Sequence, residues 1–115
     1  VGRYWNSYQQ MLTLAPDDLD FFLAIGDYIY ETTNTFGTGG AGRAITFAKP
    51  EDAIDLGDGN LAAKSVSNYR DLYRTYRSDP LLQQVHARWP IIATWDDHEY
   101  ADDCWGSTAT YFNGR

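Results

Sequence analysis

Two short stretches hold most of the side chains able to do chemistry. One is Gly26-Asp27-Tyr28-Ile29-Tyr30-Glu31; the other is Trp95-Asp96-Asp97-His98-Glu99, followed closely by Asp102 and Asp103. Their donors are carboxylate, phenol and imidazole, which suit divalent or ferric cations better than the soft metals held by thiolates. Carboxylates gathered in one place repel one another unless a cation neutralises them. A single Asp at position 27 has an ordinary explanation, because Asp favours turns. Two acidic stretches meeting at one place call for more than that. His98, among acids, could orient a substrate or deliver a proton, or it could be a plain surface histidine. Tyr30 could donate its oxygen or pack beside Tyr28 as an aromatic. Asp96, Asp102 and Asp103 suit orienting roles behind the ligands.

What positions these residues is a pair of matched apolar runs. Phe21-Phe22-Leu23-Ala24-Ile25 precedes the first stretch and Ile91-Ile92-Ala93-Thr94-Trp95 leads into the second. Each is short and uncharged, as expected of a strand buried on both faces in a parallel sheet. Helical segments between them allow a crossover and hence parallel pairing. Ligands of open α/β sheets bind outside the carboxyl ends of the strands, so Asp27 and the acids at 96–99 should converge on one rim.

The rest of the chain supplies the supports. Tyr4, Tyr8, Met11 and Leu12 predict a helix from Tyr4 to about Leu14, broken by Ala15-Pro16. A Gly-, Thr- and Asp-rich composition predicts a long loop from Thr32 to Asn60. Tyr69, Leu72, Tyr73 and Tyr76 predict a helix capped by Ser67 or Asn68. Ser78-Asp79-Pro80 ends it and opens another, with Leu81, Leu82, Val85 and Trp89 facing inward. His86 falls within that helix and reads as structural; Cys104, the single cysteine, reads as a small buried residue. Gly37-Thr38-Gly39-Gly40-Ala41-Gly42 has dinucleotide-loop spacing, but no helical stripe follows it. Asp55 to Asn60 lacks the alternate acids and closing Glu of a calcium loop.

Composition narrows the function. Of the 115 residues, 16 are acidic and 9 basic, a net charge of −7, which argues against a nucleic-acid scaffold. A phosphate bound among these acids would need cations beside it. One cysteine permits no intrachain disulfide. No apolar run is long enough to span a membrane, and this segment shows no export signal.

The quoted motifs, in order, resemble the PhoD-type alkaline phosphatases. Phe22-Leu23-Ala24-Ile25-Gly26-Asp27-Tyr28-Ile29-Tyr30-Glu31 is similar to the family's second metal motif. Tyr69-Arg70-Asp71-Leu72-Tyr73 and Tyr76-Arg77-Ser78-Asp79-Pro80 resemble its connecting helices. Trp95-Asp96-Asp97-His98-Glu99 with Asp102-Asp103 and Trp105-Gly106 resembles its third motif. The resemblance implies an α/β fold, a partial metallophosphoesterase-type β-sandwich flanked by helices, with residues 1–115 its central part and incomplete at both ends. It implies hydrolysis of small phosphomonoesters or phosphodiesters by metal-activated water, at a dinuclear or multinuclear site of ferric iron and calcium. By resemblance Asp27 bridges two metals, Tyr30 gives its phenolate to iron, Asp97 binds the second metal and His98 serves the substrate. It implies a secreted, periplasmic or cell-envelope parent protein, and further ligands on segments flanking this one. Two other readings remain open: a glycosidase-like site using Asp97 and Glu99, and a calcium-stabilised binding module with no catalysis. The oligomeric state is not legible.

Overall fold

The computed structural model describes residues 6–34, 45–106, 108 and 110. Within them the chain is mixed α/β, as expected, with two two-stranded sheets and three helices. The glycine-rich stretch 37–42 and Tyr4 lie outside the described residues.

The two apolar runs form β1 (Phe22–Ala24) and β4 (Ile91–Ala93), which pair in parallel with Phe22 opposite Ile91 and Ala24 opposite Ala93. Backbone bonds from Phe22 N–H to Pro90 O and from Thr94 N–H to Ala24 O, both 3.0 Å, extend the pairing at each end. Parallel pairing puts the chain segments that carry Asp27 and Asp97 at the same end of the sheet. Burial differs from the expectation. Leu23 and Ile92, on one face, are 59% and 52% exposed, while Phe22, Ala24 and Ile91 on the other are half-buried. Only one face is packed: the Phe22 ring meets the edge of His86 on α3, with centroids 5.5 Å apart.

Two helices make the crossover, α2 (Val66–Tyr76) and α3 (Pro80–Arg88). The cap of α2 is Ser65, earlier than expected: its Oγ accepts the Asn68 N–H, and Asn68 Oδ1 reaches back to the Ser65 N–H. This reciprocal pair satisfies two otherwise unpaired donors. Asn68 is therefore the third helical residue, and its Nδ2 also donates to Lys49 O. At α3, Asp79 accepts the N–H groups of Leu81 and Leu82 at 2.9 Å, with Pro80 in the first helical position as predicted. Within the described residues the first helix, α1 (Asn6–Met11), stops at Met11, with turn bonds carrying the winding to the expected Leu14. Arg88 ties its end to α3 by donating to Leu12 O and Leu14 O.

The predicted loop contains a hairpin. β2 (Ile54–Gly57) and β3 (Asn60–Ala62) pair antiparallel around Asp58-Gly59, whose φ angles are 53° and 74°. Two successive positive φ values define the tight hairpin turn that Asp-Gly favours, a signal the overall composition obscured. Residues 31–33 line up beside β3, with Thr33 N–H bonding Leu61 O and Ala63 N–H bonding Glu31 O, both 2.8 Å. Between this hairpin and α2 lies the core of Ile29, Ile45, Phe47, Ala63 and Leu72. Ile29 and Glu31 are thus anchored in packed surroundings, while Asp27 sits on the rim.

Candidate metal centre

Gly26 and Asp27 turn the chain sharply off β1. Gly26 has φ 107°, and a side-chain carbon there would collide with Cβ of Asp96 and come within 2.8 Å of the Asp96 nitrogen. The absence of a side chain at position 26 therefore lets the two strand ends touch. Asp27 itself has φ 52°, a costly conformation for a residue with a side chain, and its neighbours hold it there. Glu99 accepts the N–H of Asp27 at 3.0 Å and of Ile29 at 3.1 Å.

On the second strand, Asp96 caps a short 3-10 turn at residues 97–99, its Oδ1 accepting the Asp97 N–H at 2.9 Å. Glu99 Oε2 closes the box by accepting the Asp96 N–H at 2.8 Å. One carboxylate thus fastens both strand ends. Asp97 Oδ2 accepts the Asp103 N–H and its Oδ1 the His98 N–H, each at 2.8 Å. Led by the Asp103 bond, and helped by the nearby imidazole, these hold the Asp97 carboxyl below the usual carboxylate range against a partial loss of solvation.

His98 lies between two neighbours from the other stretch. The Tyr30 ring is tilted against the imidazole at 43° with centroids 4.1 Å apart, and the Tyr30 hydroxyl donates to Asp27 Oδ2 at 3.1 Å. Glu31, 1% exposed, places Oε2 2.8 Å from His98 Nδ1. Burial, the largest influence, would lower the imidazole pKa. The Glu31 hydrogen bond and the charges of Glu31, Asp27 and Asp97 together raise it above 6.5.

The structure brings all four sequence-nominated residues together. Asp27, Asp97 and His98 each offer a donor atom within 4.8 Å of the others, and Tyr30 is bonded to Asp27. Asp97, Asp102 and Asp103 form a second such group sharing Asp97. Donors about 2–2.6 Å from a cation can span this distance around one ion. No Lys or Arg pairs with Asp27, Asp97, Asp102 or Asp103 among the described residues. Carboxylate and phenol oxygens, in a cluster of acids with no Lys or Arg partner among the described residues, fit a hard metal. Cys104 is half-buried, free and absent from both groups. His86 stands apart, with Nε2 3.0 Å from the Tyr28 hydroxyl.

Glu31 is the residue to which the sequence assigned no role. It sits inside a quoted motif, but a Glu after a strand reads as one more rim acid. Only its burial and its partners, 67 and 71 residues away, mark it out.

A family model described as PhoD-like phosphatase matches residues 2–115. The chain belongs to the PhoD-like phosphatase family. Among curated proteins, alkaline phosphatase D of Bacillus subtilis (strain 168) is 35% identical to it over 96 residues, 84% of this chain and 14% of that protein. The PhoD-like chain therefore spans a small part of the length of the curated relative it matches. No solved structure matches it significantly. The two small sheets and three helices among the described residues are compatible with part of the metallophosphoesterase-type sandwich that the family resemblance implies.

Proposed function

We propose that this PhoD-like chain carries the central rim of a metal-dependent phosphate-ester hydrolase, and that its parent protein acts on small phosphomonoesters or phosphodiesters. The observation carrying this reading is the meeting of Asp27, Asp97 and His98 within 4.8 Å at the shared end of two parallel strands. Asp27 and Asp97 would hold a dinuclear or multinuclear centre, Asp27 as the bridge, with the Tyr30 phenolate toward ferric iron and calcium as neighbour. Bound metals supply an activated water and stabilise charge on the phosphoryl and leaving oxygens. His98 holds a proton at Nε2 and passes it to the ester oxygen as the phosphorus–oxygen bond breaks, leaving the imidazole neutral with Nδ1–H toward Glu31. Asp102 and Asp103 would orient the ligands, Asp103 through its backbone bond to Asp97.

Glu99 favours this over a glycosidase-like pair with Asp97. Its two oxygens already accept three backbone N–H groups, which leaves it poorly placed to act as acid or base. By family, the parent would be secreted, periplasmic or of the cell envelope. No helix among the described residues is long and apolar enough to cross a membrane.

The test is hydrolysis of p-nitrophenyl phosphate and its bis-ester by a full-length PhoD-like phosphatase carrying these residues. Asp27→Asn, Asp97→Asn and His98→Asn should each lower kcat, by about 10²–10⁴-fold where proton transfer is lost. Wild-type turnover in all three would refute the assignment, and turnover that survives complete chelation would refute metal dependence. Residues 1–115 alone should turn over little or nothing, because the family places further ligands on flanking segments.

A further inference from the structure

We propose that Glu31 is the positioning residue for His98, its buried carboxylate keeping a proton on Nδ1 and leaving Nε2 to face the acidic rim. For its effect on turnover this rests on the hydrolase reading above; for the state of the imidazole it stands on geometry alone.

A Glu that is 1% exposed is uncommon unless its oxygens are spoken for. Those of Glu31 are spent on one loop: Oε2 lies 2.8 Å from His98 Nδ1, and Oε1 accepts the Asp102 N–H at 2.6 Å. An ionised carboxylate can only accept, so the hydrogen between it and His98 belongs to Nδ1. A neutral imidazole carries one N–H, which makes Nε2 the lone-pair nitrogen. When the ring is charged, Nε2 is the site of the proton that can be given away. Asp102 Oδ1, 3.6 Å from Nε2, is too far for a hydrogen bond and leaves that nitrogen available. The Tyr30 ring against the imidazole restricts its rotation. Glu31 is placed for this by the core, since the adjacent Thr32 is bridged to Ala62 and Glu31 O accepts the Ala63 N–H.

A purely structural rival exists: Glu31 could serve only to latch the 96–103 loop through the Asp102 N–H. Glu31→Gln separates the two. The carboxamide oxygen can still accept from Asp102, but its NH2 presents a donor where His98 needs an acceptor. Nitrogen-15 NMR of the metal-free chain, well above the titration of its two histidines, reads the tautomer directly, with His86→Gln assigning the signals.

Wild-type His98 should be Nδ1–H, Glu31→Gln should switch it to Nε2–H, and Glu31→Asp should keep Nδ1–H. In a full-length PhoD-like phosphatase carrying these residues, Glu31→Gln should lower kcat about 10–100-fold with KM little changed, and Glu31→Asp should recover part of the loss. A wild-type His98 in the Nε2–H form overturns the proposal without any variant. So does a Glu31→Gln protein that folds with its tautomer unchanged, or that keeps wild-type kcat. Should Glu31→Gln fail to fold, the wild-type and Glu31→Asp tautomers decide. If the full-length protein hydrolyses no phosphate ester, the hydrolase reading falls, while the wild-type tautomer still decides the role of Glu31.

Discussion

The carboxylate of Glu99 accepts the backbone N–H of Asp27 at 3.0 Å, across 72 residues of sequence. Through further bonds to Ile29 and Asp96 it fixes the turn after β1 to the turn after β4. Replacing it with Ala strands three backbone donors at once. Glu99→Ala should therefore lower the stability of the chain by about 1–3 kcal/mol, read as a fall in the urea midpoint at constant m-value. Glu99→Gln, which keeps one acceptor oxygen, should fall between the two. An Ala variant as stable as wild type would show that the two strand ends hold together without this side chain.

Gly26 meets Asp96 at the same junction. Its φ of 107° disfavours any side chain, and a methyl group would press on Asp96. Gly26→Ala should cost about 3 kcal/mol from strain and overpacking combined. Gly106→Ala is the control, with φ 58° but nothing within 4 Å of the added carbon, and should cost less. Equal melting temperatures for the two variants would remove close approach as the reason for glycine at position 26.

His86 is pushed below the free-imidazole value of 6.5 by burial and by the Arg77 guanidinium. A base with a depressed folded pKa contributes stability that is present above 6.5 and lost as pH falls through that value toward the folded pKa. His98, shifted upward, works in the opposite sense: its contribution is full below 6.5 and fades as pH rises through its folded pKa. In the metal-free chain, His86→Gln should therefore lose less stability than wild type on acidification from pH 7.5 to pH 5.5, or gain some. Parallel pH profiles for the two proteins would show that His86 titrates alike in the folded and unfolded states.

Tyr30 offers a test of metal identity. If its phenolate binds ferric iron, the iron-loaded full-length protein is coloured by charge transfer, and Tyr30→Phe bleaches the band while keeping the ring against His98. Tyr28→Phe should leave the colour alone, because the Tyr28 hydroxyl lies against His86 and its ring is stacked with that of Tyr73. An unchanged visible spectrum in Tyr30→Phe would return that residue to packing alone.

Much of this was local enough to read from residue order. The two apolar runs as strands, the Asp79-Pro80 helix start and the inward face of α3 depend on neighbours within a few positions, and the structure has all three, although only one face of the strands is packed rather than both. Residue type at the strand ends drew attention to Asp27 and to the acids and histidine at 96–99, the family resemblance singled out Tyr30 and Asp97 among them, and parallel pairing of β1 with β4 brings the four together. The hairpin at Asp58-Gly59 was missed, because a composition rich in turn residues concealed two short strands.

What only the tertiary structure decided concerns the acids that look alike in sequence. Asp27, Glu31, Asp96, Asp97 and Glu99 all follow strands, yet two bring donor atoms within 4.8 Å of each other and of His98, one caps a turn, one fastens two turns together and one is buried behind the histidine. Nothing local distinguishes them, because a carboxylate's role depends on which N–H groups and charges surround it. Here those partners come from the other stretch, about 70 residues along the chain, and meet only when β1 and β4 lie side by side.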